Sequence, residues 1–475
     1  MRNKIIIAVS ALLCIGAFFI LPVYDDFYYL SSPHKSLDME SLLPNGSFWR
    51  PIDALWGGII AGKLISLFPF INHLLVILCF AYTSYRLIKV LKYCNVGGFS
   101  LSLAMSMFML SPALVATTYS IDATNQALSL AFGIGSLSLY RRHRPTSYLL
   151  MALSLFSKES GIAWFVVTPL LSMVIEHGFH DGKKIGKSEY MLLIKPYCIS
   201  IIAIMAYAAL RYSLNIPVET AAGYTDRYTP HIGLNNITSL CIITGLALTV
   251  VDTIALFIEH NFAVVGITAL VSVITILIIA RKSYSKANLS SGLPLIVCIL
   301  AISSPHMIMS HPSEMHIYPS LWMIALTVGV LTKDARWKRG EVAVASLFIA
   351  CGVLVFMHKG YYMYVNGKIA DKRVTSAVSH SKSIPEKVCV LDCDRQLPAY
   401  SVFQIDGKKC WDSGKGTRLR FDLENPKTVT YHVIDAKALR QYIDTYTNKD
   451  SAYNALWIVK NNSVEVIDIP SSATK

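Results

Sequence analysis

Long apolar runs separated by short polar turns occupy the first three quarters of this chain. The first, Ile5–Val23, approaches the ~20 residues an α-helix needs to cross a bilayer. Comparable runs recur near 70–89, 99–117, 124–140, 161–177, 192–213, 262–280, 291–308, 316–332 and 342–360. A shorter arm, 147–157, pairs with 161–177 in a hairpin tipped by Lys158 and Glu159. An arm of about 11 residues is too short to span, so its tip sits below the membrane surface. Together these predict an α-helical polytopic membrane protein of about 11 spans; a transmembrane barrel would show short alternating segments. Pro51–Phe68 and Ile237–Ile258 read as interfacial or re-entrant elements. Were 237–258 a span, the basic cluster Arg281–Lys286 would break the positive-inside pattern.

Beyond residue 363 the apolar period shortens to two. Lys387–Cys393, Thr428–Ile434, Leu456–Val459 and Val464–Ile469 read as strands, and Ala436–Thr447 as an amphipathic helix. The expected organisation is a membrane domain over 1–363 and a small α/β or α+β extramembrane domain over 364–475.

Composition supports this division. Only 15% of residues are charged against 53% hydrophobic, and mean hydropathy is +0.47. The net charge of +13 would suit nucleic acid, but its basic residues gather at helix ends, as in Arg141, Arg142 and Arg144. That is a topology signal with an anionic-lipid component, and nucleic acid is not an expected partner. The charge pattern places the N-terminus in the cytoplasm and the C-terminal domain outside. No small-residue cleavage site precedes Asp25, so the first helix is read as retained. Among ten cysteines, Cys389, Cys393 and Cys410 lie in the polar tail, where one disulfide and one thiol are expected.

With that topology, charged groups converge on the outer face. They are Asp25–Asp26, Arg50 in Phe48-Trp49-Arg50-Pro51, Asp122, Lys158–Glu159, and His316 and Tyr318 in the segment that starts at Glu314. The polar loop from Leu214 to Asn236 adds Tyr224 and Arg227, and Arg211 precedes it. Ionisable residues at a membrane rim are costly and mark function more often than elsewhere. Carboxylates there can deprotonate a hydroxyl or hold a divalent cation; cations can hold a phosphate. Each residue also has a plainer role open to it. Asp122 can cap a helix, Trp49-Arg50 can anchor at the interface, Lys158 and Glu159 can neutralise each other, and His316 and Tyr318 can pack.

Asp25-Asp26, Phe48-Trp49-Arg50-Pro51, Ser157-Lys158-Glu159-Ser160-Gly161 and Ser313-Glu314-Met315-His316-Ile317-Tyr318-Pro319-Ser320 appear in this order. The pattern resembles the GT-C superfamily of polytopic glycosyltransferases over roughly residues 1–335, in its protein-mannosyltransferase-like and bacterial lipopolysaccharide- or O-antigen-modifying branches. The resemblance implies a polyprenyl-phosphate-linked sugar donor and a glycan or lipid-linked polysaccharide acceptor. It implies inverting transfer on the periplasmic side of a bacterial inner membrane. Asp26, with Asp25 as the alternative, would be the base on the acceptor. Lys158 would meet the donor phosphate, helped by Arg50, Arg211 and His316. Glu159 would orient Lys158 or touch the sugar, and Asp122, Tyr318, Tyr224 and Arg227 would line the substrate. His316 stands where relatives often carry arginine. No cofactor is certain from this pattern, and a divalent cation is the open option. A transporter or flippase, or a non-catalytic assembly component for lipid-linked polysaccharide, is the rival expectation. Such transporters usually show repeats and broken midplane helices, whereas this chain shows no repeat.

Overall fold

The computed structural model describes residues 2–22, 26, 42–44, 48–56, 70–180, 186–216, 232–284, 286–309, 313–381, 385–394, 427–433, 435–447 and 452–469. The apolar runs fold as helices: α1 (Arg2–Ala17), α2 (Phe70–Tyr93) and α3 (Gly98–Met109). Ser111-Pro112 breaks the third. The Ser111 side chain accepts from Ala113 N while proline withholds a donor. A 3-10 turn, Pro112–Leu114, leads into the short α4 (Val115–Thr118), and residues 119–123 turn the chain into α5 (Thr124–Leu139). There follow α6 (Arg144–Ser157), the 3-10 turn Glu159–Ala163, α7 (Trp164–Met173), α8 (Lys187–Met191) and α9 (Ile194–Ser213). The second half comprises α10 (Asn235–Leu248), α11 (Thr253–Phe257), α12 (Phe262–Ser283), α13 (Lys286–Met307), the 3-10 turn Glu314–Ile317, α14 (Tyr318–Leu331) and α15 (Arg339–His380).

Seven helical stretches among the described residues are long and apolar enough to cross a membrane. Shorter apolar helices at Asn3–Ala17, Asn235–Leu248 and Gly292–Met307 accompany them. The stretch Gly98–Thr118 is wholly buried in the bundle, and Glu314–Leu331 nearly so. The outer helices α9 and α12 instead turn Ile201, Ile202, Met205, Leu270 and Leu277 outward. Apolar side chains facing out from apolar helices need a non-aqueous surround. The chain is a helical, membrane-embedded protein. Residues 237–258 do not form one helix: an extended break at 249–252 separates α10 from α11, and Asp252 caps α11.

Two glycines set close approaches that matter for the charged turn. A Cβ on Gly161 would lie 2.4 Å from the backbone of Ser154, so only glycine lets the Glu159–Ala163 turn fold onto α6. A Cβ on Gly133 would collide with the Trp164 indole, which packs there between α5 and α7.

Helix α15 runs 42 residues, well past the expected end of its span near 360. Its far end meets a four-stranded sheet of order β2-β1-β3-β4. The strands are β1 (Lys387–Asp392), β2 (Lys427–His432), β3 (Ala455–Lys460) and β4 (Ser463–Asp468). β1 pairs parallel with β2 and β3, and β3–β4 is an antiparallel hairpin. Asn461 and Asn462 both adopt positive φ at its turn (53° and 58°), which a two-residue hairpin loop demands. Ala370, Val374 and Ala377 of α15 cover one face of the sheet, with Val388, Val390, Trp457 and Val459. α16 (Ala436–Tyr446) covers the other through Leu439, Tyr442 and Ile443. The strands and this helix lie where the alternating pattern placed them. Cys389 is buried and Cys393 half-buried, both as free thiols, so the expected disulfide is not formed between them. Cys410 lies outside the described residues.

Candidate active site

The turn after α4 builds the first part of the site. Asp26 is fully buried, and its Oδ1 accepts from Ser120 Oγ at 3.0 Å, Ile121 N at 2.8 Å and Asp122 N at 2.9 Å. Three donors on one carboxylate oxygen fix the orientation of the group. Asp122, half-buried, sits on the same turn, and its carbonyl accepts from Asn125 Nδ2. The N-cap position of α5 is Ala123, the residue after Asp122.

The Phe48-Trp49-Arg50-Pro51 segment forms the second part by docking on the turn after α6. Arg50 Nε and its terminal nitrogen each lie 2.8 Å from Glu159 Oε2, and Trp49 N donates to Oε1 at 3.3 Å. Glu159 thus binds Arg50; the lysine beside it in sequence is not its ion-pair partner. The Trp49 ring stacks on Tyr207 at 6.1 Å and meets Phe156 edge-on at 5.1 Å. Arg211 hydrogen-bonds Tyr207 Oη at 3.3 Å, one layer behind Trp49. Arg211, expected to help with phosphate, thus lies against the aromatic seat.

Lys158 is the third part. Only 8% exposed, it makes no side-chain hydrogen bond or ion pair among the described residues. Arg50, Asp122, Glu159 and Asp53 are the charges that act on it. His306 lies in the field of Lys158 and Arg50. Its ring stacks on that of His316, centroids 4.7 Å apart and 9° from parallel. His316 is tied to the start of its own turn, with Nδ1 3.3 Å from both Ser313 N and Ser313 Oγ. Lys158, Asp122, Arg50, Glu159 and His316 thus come together, linked to Asp26 through the 120–122 turn.

A second charged group lies behind the Glu314–Ile317 turn. Lys359 of α15 donates to Glu314 Oε1 at 2.6 Å, and Thr253 Oγ1 donates to the same oxygen at 2.8 Å. Both charged side chains are 1% exposed. His358 bridges Asp252 at 2.6 Å and Glu259 at 3.1 Å. The Lys359–Glu314 pair ties α15 to the turn that carries His316, and the His358 pairs tie it to the segment around α11.

Tyr318 does not join the site. It is 1% exposed, its ring stacks on Phe108, and its hydroxyl lies 3.3 Å from Thr83 Oγ1. It packs at the start of α14, with its hydroxyl turned to Thr83. Asp25, Tyr224 and Arg227 lie outside the described residues. Among the described residues, no group of three or more His, Cys, Asp or Glu side chains could hold a metal ion. His306, Asp53 and Lys359 were not singled out from the sequence. Lys359 carried a usable signal, a charge within an apolar run; His306 and Asp53 carried none, since single polar residues at helix ends are common. Comparison of the chain with family models, curated proteins and solved structures returns no match.

Proposed function

We propose that this chain is a membrane glycosyltransferase. It would move a sugar from a polyprenyl-phosphate donor to a glycan or lipid-linked acceptor, at the membrane face where Asp26 and Lys158 lie. The observation that carries the reading is Lys158: a buried ammonium with no hydrogen-bond or ion-pair partner among the described residues, in the field of Asp122 on the turn that orients the Asp26 carboxylate. A buried charge is normally paired or hydrogen-bonded. An anionic ligand would complete this one.

The chemistry needs little more. A glycosyl phosphate already has a good leaving group, so no general acid must protonate an alkoxide, in contrast to glycosidases. One carboxylate must take the proton of the acceptor hydroxyl as its oxygen attacks the anomeric carbon. One cation must hold the departing phosphate. Asp26 is assigned the first role and Lys158 the second. Arg50 adds positive field while its own charge is balanced by Glu159. His316 completes the wall opposite. The site is placed on the outer side of a bacterial inner membrane, with the sheet of β1–β4 outside, on the strength of the basic clusters at the other helix ends.

The test compares glycan and lipopolysaccharide profiles of cells carrying wild-type, Asp26→Asn or Lys158→Met protein at equal membrane abundance. Loss of one glycan modification in both variants supports the assignment. An unchanged product in Asp26→Asn removes Asp26 as base. Retained lipid-linked oligosaccharide translocation with no transfer step in the wild type would favour a flippase instead.

A further inference from the structure

We propose that His306 reads a hydroxyl group of the transferred sugar. This rests on the glycosyltransferase reading and adds a residue and a recognition chemistry to it. His306 is 1% exposed, and neither Nδ1 nor Nε2 has a hydrogen-bond partner among the described residues. Leaving a buried polar group unsatisfied costs ~1–3 kcal/mol. The ring is nevertheless held in place by its flat contact with His316, which Ser313 anchors in turn. A fixed, buried imidazole with two open nitrogens is arranged for something that the described residues do not supply.

The kind of group follows from hydrogen-bond bookkeeping. A neutral imidazole presents one donor and one acceptor. An ionised phosphate diester only accepts, and Lys158 already offers it a cation a short distance away. A sugar hydroxyl both donates and accepts, so it matches His306 on both nitrogens, through one hydroxyl or two neighbours.

Other open polar atoms gather on the surrounding elements. Thr117 Oγ1, Asn125 Oδ1, both amide atoms of Gln126 and Glu314 Oε2 are buried and unpartnered among the described residues. α4 touches the Glu314–Ile317 turn, while α13 and α5 both touch the Glu159–Ala163 turn. Unpaired donors and acceptors in such a mixture suit a polyol.

The experiment uses the full chain in lipid nanodiscs. It measures binding of undecaprenyl phosphate and of its monoglucosyl, monogalactosyl and monomannosyl esters to wild type and to His306→Phe, His306→Asn and Lys158→Met. Phenylalanine keeps the stack and removes both nitrogens; asparagine keeps one donor and one acceptor. Wild type is expected to bind one glycosyl ester more tightly than bare undecaprenyl phosphate. His306→Phe should weaken that ester ~tenfold, the scale of one buried hydrogen bond, and leave the bare phosphate unchanged. His306→Asn should restore part of the loss, and Lys158→Met should weaken every ligand. Unchanged preference in His306→Phe overturns the proposal, and so does equal weakening of ester and bare phosphate. Equal wild-type binding of all four ligands overturns it while leaving the donor-phosphate reading standing. Wild-type binding of none removes that underlying reading, and this inference with it.

Discussion

Lys158 and Lys359 are both buried lysines in an apolar bundle, and they are treated in opposite ways. Lys359 faces Glu314 at 2.6 Å, with Thr253 completing the same carboxylate oxygen. Lys158 faces a field of mixed charges and, among the described residues, holds none of them directly. The first charge is satisfied within the fold, so its contribution is to assembly. On the proposed function the second is left for a ligand, and the fold would carry its cost in return for binding. Burial alone does not separate a functional charge from a structural one in a membrane bundle; the partner does.

The contrast is broken or sharpened most strongly at the paired site. Lys359→Ala leaves Glu314 buried and uncompensated, a change that costs about 3–5 kcal/mol. It should lower the thermal or denaturant midpoint of the purified protein sharply. The double replacement Lys359→Met with Glu314→Gln should recover most of that loss, because it removes the pair rather than half of it. If Lys359→Ala were silent, the pair would not be the structural counterpart of Lys158.

Lys158→Met should behave in reverse. Its melting midpoint should match or exceed that of wild type, since a poorly compensated charge is removed. Transfer activity should fall ~10²–10³-fold, the usual loss when one electrostatic contact to a developing anion is deleted. A large loss of stability would move Lys158 into the structural class.

Gly161→Ala tests how the turn presents that lysine. The added methyl would overlap the Ser154 backbone at 2.4 Å. Relieving it should cost about 1–3 kcal/mol and displace Lys158 and Glu159. The Arg50–Glu159 pair would then loosen, which accessibility labelling at Trp49 can report. Retained activity at full stability would mean that the turn is not the element that positions Lys158.

The smallest effect lies far from both lysines, in the sheet. Burial alone would raise the Asp394 carboxyl. Donation from Asn462 N–H, the Arg373 guanidinium and Asn461 N–H outweighs that and holds it below the ordinary carboxylate range. The stabilisation is therefore complete above the unfolded value, near about 3.9, and is lost as pH falls through the lower folded value. Hydrogen exchange at the Asn461 and Asn462 amides should quicken only in that acid window, and Asp394→Asn should abolish the pH dependence.

The sheet and α16 were legible in the sequence because their signals are local: alternation and an amphipathic repeat. The charged residues of the site were also legible, because ionisable groups beside apolar runs are few. Their pairings were not. Glu159 binds an arginine 109 residues away in sequence, and Lys359 binds Glu314 across 45 residues. Such partners are set by helix packing, which no local pattern records. The extension of α15 to His380 was hidden for a different reason. Residues 364–380 are polar enough to resemble a soluble segment, and their apolar positions become intelligible only once Ala370, Val374 and Ala377 are seen against the sheet.

That extension has a mechanical consequence. At 1.5 Å per residue, α15 is a rod of about 63 Å, roughly twice the thickness of a bilayer core. Its Gly360 abuts Tyr119 and its Gly367 abuts the backbone of Leu21, so it is clamped beside the segments that deliver the 120–122 turn and Asp26. The sheet rides on the same rod further along. Because the helix advances 3.6 residues per turn, one residue inserted between clamp and sheet would swing the sheet by about 100° with little change in height. Seven would return it almost to its starting azimuth, about 10 Å further out. The angular setting of the C-terminal unit over the site is thus encoded as a residue count modulo one helical turn.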